Sequence, residues 1–175
     1  MNHPILAAPL SQSDAALGDA YLSIQLDAQT PAVLPMAQAQ EVLVVPAQRL
    51  TPMPNMPDGV LGLLNRRSRI FWVVDIAQWL QAQPLDPIAQ QYTVVIVRVN
   101  AAASPQSPNW LGLAVPKVKG VIRFLPELIQ SPLGHFPLHL TPYLRGCVLQ
   151  KQELLLVLDA EALVQTPLLQ SPSVL

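Results

Sequence analysis

The chain has 175 residues, of which 51% are apolar and 12% charged, with a formal net charge of −1; it is neither a charged disordered segment nor a protein that holds nucleic acid or anionic membrane by bulk charge. A single cysteine, Cys147, excludes an internal disulfide and a thiolate zinc cage. The 19 prolines, roughly twice the usual share of about 5%, exclude long helices and long central strands. Residues 1–19 are rich in Ala, Pro, Ser and Gln without a period and read as a mobile tail. They lack the basic stretch of a secretory signal, and no run of about 20 apolar residues follows, so a soluble cytoplasmic protein is expected. Tyr21 to Leu26 alternates as a strand, Asp27 to Pro31 turns, and Ala32 to Pro35 returns. Met36 to Glu41 reads as one or two helical turns, and Val42 to Val45 as a buried strand. Arg49 to Pro57, with Pro52, Pro54 and Pro57, is an irregular extended connection. Ile70 to Val74 is a β-prone strand ending at Asp75, which caps a short helix through Ile76, Trp79 and Leu80.

Tyr92 to Val99 is the clearest strand. Ala101 to Asn109 reads as a loop of low order, followed by strands over Leu111–Val115 and Val118–Phe124 with Pro116 between them. Pro126 to Pro142 is a Pro-rich loop. Leu144–Leu149 and Leu154–Leu158 flank the turn Gln150–Glu153 as a hairpin. Asp159 then caps a short helix from Ala160 to Val164, and residues 166–175 form a second tail. The sum is nine or ten short strands with few helices and no βαβ alternation, hence an all-β barrel or sandwich of antiparallel strands. Alternation places Val94, Ile96, Leu113, Val115, Val148, Leu155 and Val157 in the core.

Charge is uneven along the chain. Residues 49–123 carry eight basic residues against three acidic ones, whereas residues 1–48 carry four acidic and none basic. The sharpest candidate is Arg66-Arg67-Ser68-Arg69. It lies between two apolar strands and so must form a tight exposed turn. Three guanidiniums there repel one another unless a partner supplies carboxylates or carbonyls, or water screens them. His135 and His139 are spaced like half of a metal site, but Pro137 prevents the helix that would align them and no third ligand is apparent. Cys147 sits in an apolar strand as a small core residue. Trp72 and Trp79 read as packing residues rather than a stacking platform. No phosphate-loop, dinucleotide, nucleophile-elbow or zinc-protease motif is present.

Three stretches together resemble the CheW-like domain, the coupling protein of bacterial chemosensory systems. In Arg49 to Ile76, the residues Pro54, Pro57, Gly62, Asn65, Arg67 and Asp75 fall on that family's Pro-x-x-Pro, Gly-x-x-Asn-x-Arg-Gly and strand-Asp pattern. LGLAVPKVKGVI resembles its Gly-containing strand before the second hairpin, and Tyr143 to Leu163 its closing hairpin with Gly146 and Asp159. The opening YLSIQLD resembles its first strand. Ser68 stands where the family has Gly, Trp72 where it has Pro, and Pro116 where it has an acid. The resemblance covers about residues 20–165 and implies two small five-stranded barrels, Src-homology-3-like, around a shared core. It also implies a non-catalytic adaptor, without cofactor or metal, that bridges a CheA-like histidine kinase and methyl-accepting chemoreceptors. Gly62, Asn65, Arg66, Arg67 and Arg69 are the candidate partner-binding residues, Arg67 by its match to the family's Arg-Gly turn. The competing reading is a small β-barrel binding single-stranded nucleic acid through the Arg66–Arg69 turn; near-neutral charge counts against it.

Overall fold

The computed structural model describes residues 17–101, 104–134 and 136–166. Ten strands run in the order β1 (Asp19–Gln25), β2 (Pro31–Pro35), β3 (Ala39–Pro46), β4 (Val60–Arg66), β5 (Arg69–Asp75), β6 (Gln91–Ala101), β7 (Ser104–Val115), β8 (Lys117–Phe124), β9 (Leu144–Gln150) and β10 (Glu153–Leu158), with short helices α1 (Ile76–Trp79) and α2 (Ala160–Val164). They form two five-stranded sheets, ordered β8-β1-β2-β10-β9 and β3-β6-β7-β5-β4. The tails expected at residues 1–19 and 166–175 lie mostly outside the described residues. Of the described parts, Asp19 opens β1, and Thr166 is buried with its hydroxyl 3.2 Å from that of Tyr143.

Each sheet curls around its own apolar interior. A flat five-stranded sheet would hold its edges roughly 19 Å apart, four strand spacings. Yet Val45 of β3 and Leu64 of β4, on opposite edges of one sheet, share a cluster with Phe71, Val73, Val94 and Ile96. In the other lobe Phe124 of β8 and Val148 of β9 likewise share a cluster with Tyr21, Val33, Leu155 and Val157. The alternate residues of the same strands, Leu22, Ile24, Val95, Val97, Leu111, Leu113, Leu156 and Leu158 among them, form a third core between the lobes. Strands β6 and β10 are therefore apolar on both faces, which is why YTVVIVRV and LLLVL read as near-continuous apolar runs. All seven residues expected in the core are buried.

The two lobes repeat one plan. In each, a hairpin (β1–β2, β6–β7) lies parallel to the second strand of another hairpin (β9–β10, β4–β5), and a fifth strand, β8 or β3, closes on the first. The parallel pairs β2–β10 and β5–β7 correct the all-antiparallel expectation. Of these strands, β5 and β10 each lead into an Asp-capped helix. Asp75 accepts from the Gln78 amide at 3.2 Å, and Asp159 accepts from Glu161 and Ala162 at 3.0 and 3.3 Å.

Three local expectations are overturned. Residues 36–41 are not helical: Gln38 closes a turn on Pro35, and β3 begins at Ala39, because pairing with β6 outweighs a weak Ala/Gln helix preference. Val42–Val45 is a strand, but only Val45 of it is buried. The strand lies at a sheet edge, and Val42 and Val44 are exposed. Of the loop expected at 101–109, the described residues are strand: β6 and β7 run on to the pair Ala101–Ser104. Pro105 and Pro108 are tolerated because β5 pairs β7 only from Leu111 onward, leaving that stretch with β6 alone.

Candidate functional site

The mouth of the second lobe is built by strand alternation. Along β4, β5, β6 and β3 the interior-facing positions run Leu64, Phe71–Val73, Tyr92–Val94–Ile96 and Leu43–Val45. The next position of the same phase, one step beyond the apolar interior, is Arg66 on β4, Arg69 on β5, Arg98 on β6 and Glu41 on β3. On β7 the matching rim residue is Trp110, which pairs with Arg98 in register and packs partly onto the lobe interior. All five strands thus contribute one residue to a rim. Below Trp110 the β7 column continues with Gly112, whose missing side chain leaves room for Val73 and Val94; a Cβ there would lie 2.9 and 3.0 Å from their methyl groups.

Across the seam between the two edge strands, Arg66 Nη2 lies 2.5 Å from Glu41 Oε1, and Arg67 Nη2 lies 3.6 Å from the same oxygen. The hydrogen bond from Arg66 holds the Glu41 carboxyl below its ordinary range, against partial desolvation and with the charges of Arg66 and Arg67 adding to the effect. Because the folded value is the lower one, the pair contributes at neutral pH. It lets go only as pH falls from the ordinary carboxylate range through the lowered value. The Arg69 and Arg98 guanidiniums lie 4.8 and 5.7 Å from the centre of the Trp110 ring. Neither makes an ion pair among the described residues. Gln40, Phe71 and Ile96 join Glu41, Arg66, Arg67, Arg69 and Trp110 in lining a cleft of about 260 Å³ at this mouth, and Arg98 lies just outside it, on the Trp110 side.

The β4–β5 hairpin carries the sequence-derived candidates, but not on one surface. Arg66 and Arg69 face each other across the turn and line the mouth. Arg67 stands at the tip, its side chain 70% exposed, and it too lines the cleft. Asn65 pairs with Ile70, and both are exposed. Gly62 is buried under the Pro-rich connection; at φ 145°, its Cβ would lie 2.6 Å from the Thr51 carbonyl oxygen. Its place is to let that segment cross the strand. Arg67 and Ser68 have φ of 50° and 63°, so the two-residue turn is of the primed type that favours glycine at both positions. Ser68→Gly is therefore expected to stabilise the protein by about 1 kcal/mol, seen as a higher urea midpoint at constant slope; an unchanged or lower midpoint would mean the turn is not strained.

The remaining candidates serve the fold. Trp79 is buried, Trp72 is half-buried, and both belong to the shared core. Cys147 is buried in β9, and burial pushes its thiol pKa up, away from nucleophilic chemistry. His139 is exposed, and His135 lies outside the described residues. No group of three metal-ligating side chains gathers among the described residues, and no helix among them is long and apolar enough to cross a membrane. Glu41, Arg98 and Trp110 are absent from the sequence-derived candidates. Their signal was period: Arg98 continues the phase of Val94 and Ile96 within YTVVIVRV.

Comparison with known proteins agrees with this architecture. A family model described as "CheW-like domain" matches residues 20–167. Protein PilI of Pseudomonas aeruginosa is 29% identical over 133 residues, spanning 76% of this chain and 68% of that protein. A probable chemotaxis protein CheW of Rhizobium etli is 26% identical over 114 residues, spanning 65% of this chain and 68% of that one. The crystal structure of the scaffolding protein TtCheW from Thermoanaerobacter tengcongensis superposes with a TM-score of 0.70 at 19% identity, covering 86% of this chain and 94% of that chain.

Proposed function

The chain belongs to the CheW-like domain family, and from that premise we propose that it is a non-catalytic signalling adaptor, acting in the cytoplasm, that couples a CheA-like histidine kinase to methyl-accepting chemoreceptors. The observation that carries the reading is the family match across residues 20–167, nearly the whole of the folded body. The surface supports it. Exposed Val42 and Val44 lie on the edge strand β3, the exposed pair Leu149–Leu154 lies on β9–β10, and the guanidinium-rich mouth adds a polar contact. Apolar and arginine-bearing faces of this kind suit protein contacts. Among chemotaxis, phototaxis and twitching-motility outputs, the similarity to PilI favours a pilus-type pathway.

The test is a pull-down of the kinase and of a receptor cytoplasmic fragment from the same organism, alone and together. A ternary complex that forms only with the adaptor present is expected; capture of neither partner would sink the proposal. Within it, Arg67→Ala is expected to leave stability within about 0.5 kcal/mol and to weaken capture of one partner by roughly 1–3 kcal/mol, the range for a charge-assisted hydrogen bond. Arg67→Lys is expected to lose much of the same, because Lys cannot reproduce the bidentate fork. Unchanged capture in a folded Arg67→Ala variant would leave this arginine a solvated charge.

A further inference from the structure

We propose that the mouth of the second lobe is a docking site for an acidic peptide segment of a protein partner, one that places an apolar or aromatic side chain into the cleft and carboxylates against Arg69 and Arg98. Charge sets the sign. The cleft is lined by Arg66, Arg67 and Arg69, with Arg98 beside it against Trp110, and its single carboxylate, Glu41, is already engaged by Arg66 and Arg67. The Nε of Arg66 is shielded from solvent and has no acceptor. The Arg69 and Arg98 guanidiniums lie over the Trp110 ring, neither has an ion-pair partner among the described residues, and a guanidinium can take a carboxylate bidentately.

Size and distribution narrow the occupant. About 260 Å³ falls below the usual range of roughly 300–1,000 Å³ for a small-molecule pocket. It suits one anchoring side chain on the floor of Phe71 and Ile96, with flanking groups on the rim. The cations cluster at one mouth rather than along a groove, and among the described residues Trp110 is the sole aromatic residue on that rim. A strand of nucleic acid needs a track of cations with successive stacking faces. The proposal rests on the adaptor reading only in that a partner must supply the segment.

The experiment is fluorescence anisotropy of the whole protein with a labelled peptide containing Glu-Glu-Phe-Glu-Glu, a Gln-for-Glu control peptide and an oligo-dT strand of similar length. Salt-sensitive binding of the acidic peptide alone is expected. Arg69→Ala and Arg98→Ala are each expected to weaken it roughly tenfold or more, as loss of a charge-assisted bond implies. Arg98→Lys is expected to weaken it less, and Glu41→Gln to tighten it by removing the competing carboxylate. Tightening by that variant distinguishes binding from a structural effect, since losing the seam ion pair would, if anything, loosen the fold. Thermal melts identify any variant that fails to fold, and the Arg98→Lys and Glu41→Gln comparison then decides. No binding of the acidic peptide, equal binding of the Gln peptide or the oligonucleotide, or indifference to all four variants would overturn the proposal. Should the chain capture kinase and receptor but not the peptide, the docking site falls alone. Binding of the peptide with capture of neither would sink the adaptor reading alone.

Discussion

Replacing Leu113 with Ala is expected to lower stability by about 2–5 kcal/mol, the cost of removing a large aliphatic side chain from a core that cannot close over the gap. Leu113 is fully buried in the core between the lobes, and β7 is fixed on both sides, by β6 and by β5. The urea midpoint should fall at unchanged slope. The exposed Leu154 is the control, and Leu154→Ala should stay within about 0.5 kcal/mol. A Leu113→Ala variant losing less than about 1 kcal/mol would show that the lobes meet loosely and that the register of β7 differs from that described here.

Asp75→Ala is expected to cost about 2–4 kcal/mol, combining a lost helix cap with a second amide left without its acceptor. The side chain is almost fully buried. One carboxyl oxygen accepts from the Gln78 amide at the start of α1, and the other accepts from the Leu85 amide at 2.7 Å, ten residues on. One side chain thus starts the helix and pins the Pro-rich loop that follows it. Asp75→Asn keeps one acceptor and should lose roughly half as much. Partner capture by the folded Asp75→Ala variant at low temperature should match the parent. Normal stability with abolished capture would instead make Asp75 a contact residue.

The fold was legible where local chemistry and tertiary placement agree. Asp75 and Asp159 each follow an apolar strand and precede a short apolar helix, so their caps could be read directly. The turn Gln150–Glu153 announced its hairpin for the same reason. Where a segment's surroundings decide its state, residue preference misled. Ala and Gln at 36–41 are fair helix formers, but β6 offers that segment a ladder. Pro105 and Pro108 look like breakers until β7 is seen to have a single neighbour there. Val42–Val45 looks interior because an edge strand and a central strand can carry the same residues; burial depends on what lies alongside. The site divided in the same way. Arg66 to Arg69 stood out as a local charge cluster between two apolar strands. Glu41, Arg98 and Trp110 reach the same mouth from strands distant in sequence, and only the curl of the sheet brings them together.

The interlaced order of the strands bears on mechanics. The chain leaves the first lobe after β2 through a turn at Met36–Gln38, builds all of the second lobe from β3 to β7, and returns through Pro116 alone. The lobes are thus joined by two short tethers, one a residue whose φ is fixed by its ring, with a continuous core between them. A single flexible linker would let two such units hinge. Two stiff crossings and a shared packed interface allow no such freedom, so a push on one lobe is carried to the other as rotation of the whole body. In the proposed adaptor role, such a body would serve as a rigid strut between its partners, passing on displacement that a hinged pair of modules would absorb.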